Sequence, residues 1–380
     1  MIPYGKQTLD EDDKNAIMNV LNENTYLTTG PRVNQFEEKI CDYIGCKYGV
    51  AVNSGTAALH CATFAINIQE DDEVIVPAIS FVASANCVLY QKGKPVFCDV
   101  NPNTLNIDVT KIEVLITKKT KAIIMVDMCG QPCEYDEIRA ICDKYKLILI
   151  QDAAHSLGGQ YKNKKVGSYA DITCLSFHPV KNITTCEGGM MITNNELYYN
   201  RAKSCRSHGI TRDFKEREKT NSHYYDMIDL GYNYRIPDVL CALGISQMNK
   251  LDKFISKRNE IAEKYNNFFK DYKDLIEPLE NYNYNAYHIY VIKLNSKFNR
   301  DIIFKKLKES NIGVNVHYMP IYLHSYYQKL GYKKGLCPEA EKVYQHIITL
   351  PIYPLLKNEE IEYVFDTFNK IFNEYKIVGN

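Results

Sequence analysis

The sequence predicts an α/β protein: a doubly wound, mostly parallel sheet flanked by helices, followed by a smaller C-terminal α+β domain. Three observations carry this. Short apolar runs of strand length recur between Tyr48 and Thr193, mostly separated by segments of helix length. The chain has 380 residues, 45% of them hydrophobic, so it buries a sizeable core yet exceeds the length at which a single core usually stops growing. After Pro237 the pattern changes to one long helical repeat and then to shorter mixed elements. We divide the chain into residues 1–245 and 246–380.

The elements follow in order. Ile17, Val20 and Leu21 recur at helical spacing within Glu11 to Asn22, and Asn24 to Pro31 breaks the helix. Phe36, Ile40, Tyr43 and Ile44 mark a second helix that Gly45 closes. Tyr48 to Val52 reads as a buried strand, as do Glu73 to Val76, Pro95 to Asp99, Ala122 to Val126, Leu147 to Gln151, Ile172 to Ser176 and Met190 to Thr193. Asn163-Lys164 reads as the turn of a hairpin inserted at Gln160 to Gly167. Asp213 to Tyr225 is charged, lacks apolar periodicity and reads as a mobile loop. From Pro237, apolar positions from Leu240 to Phe269 predict one long helix joining the two domains. Beyond it we expect a strand at Tyr287 to Leu294, a helix at Asp301 to Ser310, a strand at Gly313 to Tyr318 and a closing helix at Glu359 to Tyr375.

Composition narrows the function. Lys+Arg and Asp+Glu both total 46, so the formal charge of +0 gives no broad field for gripping nucleic acid or anionic lipid. The 13 cysteines are scattered from Cys41 to Cys337 without a C-x-x-C pair, which argues against a disulfide framework or zinc ribbon and for a reducing cytosol. Met1 to Lys14 is too charged for a signal peptide. The apolar stretch Val74 to Tyr90 is interrupted by Pro77, Ser80, Ser84 and Asn86, as a strand followed by a buried helix would be. We expect no membrane and no metal.

Three motifs carry chemistry. Asn53-Ser54-Gly55-Thr56 lies between a strand and an apolar helix, where backbone N–H groups and hydroxyls cradle a phosphate; it equally reads as a plain helix cap. No G-x-G-x-x-G or Walker sequence is present. Asp152 closes a buried strand and His155 follows three residues later, a pair that reads as the partner of a cationic ring nitrogen, as half a metal site or as a cap. Lys181 sits in Ser176-Phe177-His178-Pro179-Val180-Lys181, before Cys186-Glu187-Gly188-Gly189 and a buried strand. A lysine in such surroundings becomes an amine nucleophile if desolvated and otherwise stays a solvated cation. Cradle, strand-end acid and lysine, in that chain order, are what a pyridoxal 5'-phosphate site needs.

At these motifs the chain closely resembles the DegT/DnrJ/EryC1/StrS family of sugar-nucleotide aminotransferases. The resemblance runs from Thr28-Thr29-Gly30-Pro31 to Leu350-Pro351. It implies a fold-type-I pyridoxal-phosphate-dependent transferase whose larger domain binds the cofactor. Lys181 is then the Schiff-base lysine and Asp152 the partner of the pyridinium nitrogen. Phe81 stacks on the cofactor ring, Gly55, Thr56 and Ser176 contact its phosphate, and His155 supports it. Asn233 reaches the phosphate of a neighbouring subunit's cofactor, which implies a homodimer. Tyr4, the loop Thr25, Tyr26, Leu27 and Thr28, and the run His317, Tyr318, Met319 and Pro320 contact substrate. Relatives that dehydrate replace the lysine with histidine, and C3-specific relatives typically carry Tyr-Pro-x-Lys; this chain has His178-Pro179-Val180-Lys181. The resemblance therefore implies amination at C4 of a nucleotide-linked 4-keto-6-deoxy sugar, with glutamate as donor. A UDP-linked N-acetylhexosamine comes first among substrates, UDP- or dTDP-linked 4-keto-6-deoxyglucose second, and a non-catalytic regulator is the rival reading.

Overall fold

Helix α1 (Glu11–Glu23) opens the computed structural model, which describes residues 1–211, 217 and 219–378. Asp10 and Asp13 exchange side-chain bonds for each other's N–H across its start, a reciprocal cap. Helix α2 (Pro31–Ile44) begins on a proline and ends on Gly45 at φ 83°, where a Cβ would be strained. There follow β1 (Tyr48–Val52), α3 (Gly55–Ala65), β2 (Glu73–Pro77), α4 (Ala83–Tyr90), β3 (Lys94–Cys98), β4 (Thr120–Val126), α5 (Tyr135–Tyr145) and β5 (Ile148–Asp152). The hairpin strands β6 (Gln160–Tyr161) and β7 (Lys164–Lys165) precede β8 (Ile172–Ser176), β9 (Gly189–Thr193) and α6 (Glu196–Arg206). The hairpin turns at Lys162-Asn163, one residue earlier than expected, because both residues take positive φ. Residues 213–216 and 218 of the stretch read as a mobile loop, and residue 212 before it, lie outside the described residues.

Seven strands form the main sheet in the order β1-β9-β8-β5-β4-β2-β3. Every neighbouring pair is parallel except those made by β9, which runs against both β1 and β8. The carboxyl ends of the other six strands therefore share one edge, and β9 starts there. Both faces are covered, so β2 and β9 are buried along their whole length instead of alternating.

The helical run after Pro237 is two helices, α7 (Asp238–Met248) and α8 (Leu251–Phe269). The chain turns at Asn249-Lys250, whose N–H groups bond back to Ser246 and Gln247, and the Lys250 ammonium reaches Asp10 and Asp13. The apolar repeat continues through the break, so periodicity alone conceals it. After α8 come β10 (Ile276–Pro278), β11 (Tyr290–Leu294), α9 (Arg300–Glu309), the short α10 (Ser325–Lys329) and α11 (Pro338–Tyr344), β12 (Ile347–Leu350) and α12 (Asn358–Val378). Strands β10, β11 and β12 form an antiparallel sheet packed with Tyr265, Phe269, Phe368 and Phe372. Gly313 to Tyr318 is not a strand. Gly313 bonds to Ile2 and Asn315 to Thr349, so the segment divides its bonds between two neighbours and forms no ladder with either.

Candidate active site

The site gathers where strand ends meet. Asp152 is the last residue of β5 and is buried. Its Oδ2 accepts the Ser84 hydroxyl at 2.7 Å and its Oδ1 the Ala154 N–H at 3.1 Å, while Ser80 and Ser84 share a further bond of 2.8 Å. Burial raises its pKa, and the bonds from Ser84 and Ala154 together with the charge of Lys181 oppose the rise. A carboxylate so placed has hydroxyl and amide donors but demands a cation.

Lys181 is carried by residues 177–188, which join β8 to its antiparallel neighbour β9 above the paired Ser176 and Gly189. Phe177 closes this loop by receiving the Thr185 N–H on its carbonyl and donating to Gly188. Asn182 staples it to the segment after β5, donating to the Leu157 carbonyl at 2.8 Å and the His155 carbonyl at 3.4 Å. Burial lowers the Lys181 pKa to about 8, against the pull of Asp152. An amine with that value is a far larger fraction free base at neutral pH than an ordinary lysine.

Rings surround the amine. His288 Nε2 lies 3.3 Å from Lys181 Nζ, and the His288 and His155 ring centroids are 4.5 Å apart. Tyr318 stands 6.3 Å from His155 and 6.0 Å from Phe81, while His317 joins Tyr318 to Tyr4 at 4.7 and 5.4 Å. Phe81 presents an open face, 55% exposed. His317 bonds to the Thr349 hydroxyl at 2.8 Å, and burial lowers its pKa to about 4. Burial likewise holds His155 and His288 neutral well below the usual histidine range.

At the neighbouring strand ends, Ser54 caps α3 by accepting the Ala57 N–H at 3.1 Å. A Cβ on Gly55 would stand 2.8 Å from Ser176 Cβ, so the start of α3 meets the end of β8 with only a hydrogen between them. Thr56 follows on the first turn. Asn233 is exposed, and its carbonyl accepts from Asn53 at 3.4 Å.

Most of the expected residues therefore converge. Lys181, Asp152, His155, Phe81, Tyr4, His317 and Tyr318 form one cluster, with Gly55, Thr56 and Ser176 at adjoining strand ends. Met319 and Pro320 lead into Ile321, whose N–H bonds to Ala78 just past β2. Thr25, Tyr26, Leu27 and Thr28 are exposed and docked on the start of α7, where Asp238 donates its N–H to the Leu27 carbonyl. A cavity of about 680 Å³ opens beside this loop, lined by Glu37, Lys203, Arg206 and Arg235 rather than by Lys181. Sequence reasoning missed Ser84, Asn182 and His288. Ser84 left a trace as a polar residue inside an apolar run, and His288 as a histidine in an expected strand.

The sheet with its one reversed strand and the lysine opposite a strand-end carboxylate define an aminotransferase of fold type I. The chain belongs to the DegT/DnrJ/EryC1/StrS aminotransferase family, whose model matches residues 7–369. It is 39% identical over 382 residues to a UDP-4-amino-4,6-dideoxy-N-acetyl-beta-L-altrosamine transaminase of Campylobacter jejuni, covering 99% of both chains. Among solved structures it is similar to Helicobacter pylori PseC, an aminotransferase of pseudaminic acid biosynthesis, with TM-score 0.91, 34% identity and coverage of 98% and 99%. It is also similar to the PLP form of a putative sugar aminotransferase, Spr1654 of Streptococcus pneumoniae, with TM-score 0.91, 29% identity and the same coverage. No helix among the described residues is long and apolar enough to cross a membrane.

Proposed function

We propose that this chain transfers an amino group from glutamate to C4 of a nucleotide-linked 4-keto-6-deoxy sugar, foremost a UDP-linked N-acetylhexosamine, for surface-glycan synthesis in the cytosol. The observation that carries the reading is the Lys181 amine, depressed to about 8 within reach of the buried Asp152. Pyridoxal phosphate fits the residues present. Asp152 demands a cation, the Nδ1 of His155 is buried without a partner, and the close approach of Gly55 to Ser176 sets the N-terminus of α3 at the end of β8. When bound, the cofactor supplies an electron sink for the bond-breaking steps.

The chain's own residues supply the rest. Lys181 would hold the cofactor covalently and would accept and return a proton at its Nζ. Asp152 keeps the ring nitrogen protonated, with Ser84 fixing the carboxylate's orientation. Phe81 would pack on the cofactor ring, and Gly55, Thr56 and Ser176 would hold its phosphate. Tyr4, the Thr25 to Thr28 loop and the His317 to Pro320 run meet the sugar nucleotide, where neutral histidines add hydrogen-bonding capacity without repelling Lys181.

We further propose a homodimer in which Asn233 serves the partner's cofactor. Its exposure supports this, as do Met227, Ile228 and Leu230, which are 61%, 62% and 74% exposed just before it. The deciding experiment incubates the protein with glutamate and a panel of UDP- and dTDP-linked 4-keto sugars, then locates the new amine by mass spectrometry and NMR. Amination at C4 of the N-acetylhexosamine is expected. An amine at C3, or no product with any 4-keto sugar nucleotide, would overturn the assignment.

A further inference from the structure

His288 has no part in the reading above, yet it is the side chain hydrogen-bonded to the reacting amine. It is buried, and it precedes β11 on a segment held by buried donors. Arg258 Nη1 on α8 donates to the carbonyls of Tyr287, His288 and Ile352 at 3.1, 3.1 and 3.0 Å. Asn285 Oδ1 accepts the Tyr287 N–H at 2.6 Å, and Asn259 donates to the Asn285 carbonyl at 3.0 Å. These bonds fix the backbone that carries the imidazole, so His288 presents its ring to Lys181 at 3.3 Å from a held segment.

We propose that His288 is a positioning residue for Lys181: its neutral ring accepts one Lys181 N–H at Nε2, which sets the direction of the amine and the pH at which it loses its proton. The inference rests on Lys181 being the reacting amine. A lysine side chain turns about four carbon bonds, and an acceptor holding one N–H limits the lone pair to the two remaining tetrahedral positions when the proton departs. We assign the ring as the acceptor of this contact. With a pKa of about 8 the cofactor-free amine still carries its proton at pH 7 and has only N–H bonds to offer. The groups facing it are Asp152 at the end of β5, His155 just beyond, His288 and His317, with Arg258 behind His288. Burial, with the charges of Lys181 and Arg258, keeps His288 neutral, and we assign its own proton to Nδ1, which is buried without a partner.

The test uses full-length cofactor-free protein, pulse-labelled with acetic anhydride across a neutral to alkaline pH series. The modified fraction of the Lys181 peptide is read by mass spectrometry. Wild type is expected to label with a midpoint near 8. In His288→Phe the ammonium loses its acceptor, and the midpoint should fall by about one unit. His288→Gln, whose Oε1 takes the place of Nε2, should restore it. A purely structural role would move both variants together. An unchanged or raised midpoint in His288→Phe, or equal shifts in both, overturns the proposal. A measurement on the unaltered chain stands beside these: histidine ring ¹⁵N shifts should show His288 protonated on Nδ1 and bare on Nε2, and the opposite tautomer overturns the proposal too. A wild-type midpoint at the ordinary lysine value would instead count against the lysine reading itself.

Discussion

Gly55→Ala places a methyl group where the fold leaves room for a hydrogen. Its Cβ would stand 2.8 Å from Ser176 Cβ and 3.0 Å from Ser176 Oγ, about 0.6 Å inside ordinary contact. Neither side yields easily, because Ser176 ends β8 in register with Gly189 and Gly55 begins α3 under the Ser54 cap. Overpacking of this kind costs about 1–3 kcal/mol, relieved only by lifting the first turn of α3 away from β8. That is the pair of elements proposed to receive the phosphate. We expect the variant to bind pyridoxal phosphate about five- to a hundredfold more weakly, since ~1.4 kcal/mol is a factor of ten. The assay is an absorbance titration of cofactor-free protein, run alongside urea unfolding. Adding Ser176→Gly removes the opposing atoms and should return most of the stability but not the affinity, because the serine's own contact is gone. Wild-type affinity in a destabilised Gly55→Ala would refute the phosphate assignment.

The other predictions concern charge and assembly. Lys181→Met should abolish turnover and the borohydride-fixed cofactor adduct yet stabilise the cofactor-free chain at pH 7 by roughly 1–3 kcal/mol. The folded pKa of about 8 lies below the ordinary 10.5, so wild-type stability should climb between those values; urea titrations across that range should find the slope missing in the variant. Asp152→Asn should slow turnover at least about a hundredfold. Its raised folded pKa means ionisation costs stability as pH rises above the unfolded value, so the same variant should melt higher at neutral pH without cofactor, and an unchanged rate would reduce Asp152 to a local cap. Arg258→Met strands three carbonyls and should cost roughly 2–4 kcal/mol in chemical unfolding. Mixing inactive Lys181→Ala with an inactive Asn233 variant should recover activity in heterodimers; light scattering that finds only monomer would exclude the shared site.

Where local pattern and tertiary role coincide, the sequence was readable. The strands of the main sheet are continuous apolar runs because both their faces are buried, and their expected ends fall within two residues of those observed. Asp152 and Lys181 were visible because each sits at a boundary between an apolar strand and a turn. The break at Asn249-Lys250 was not, since it leaves the apolar spacing intact and depends on Asp10 and Asp13 more than two hundred residues away. Gly313 to Tyr318 misled because strand-like residues were spent on two partners instead of one. Ser84 and His288 gain meaning only from what α4 and the approach to β11 are packed against, which no spacing within either segment encodes.

The reversed strand β9 raises a question of alignment. In a strand buried on one face, slipping by one residue would expose its apolar side chains, and that penalty locks the pairing. Strand β9 has no such protection: Met191 enters one core while Met190 and Ile192 enter another, so a slip would merely exchange one greasy set for the other. What resists it is Gly189, where even a Cβ would come within 2.4 Å of the Ser54 carbonyl oxygen, so a shift bringing Met190 to that point is blocked outright. The residue marking where the strand must begin is also the far stem of the loop that carries Lys181. The height at which the amine stands above the sheet is thus indexed by a position with no side chain, and insertions in that loop should be tolerated only where they leave this stop in place.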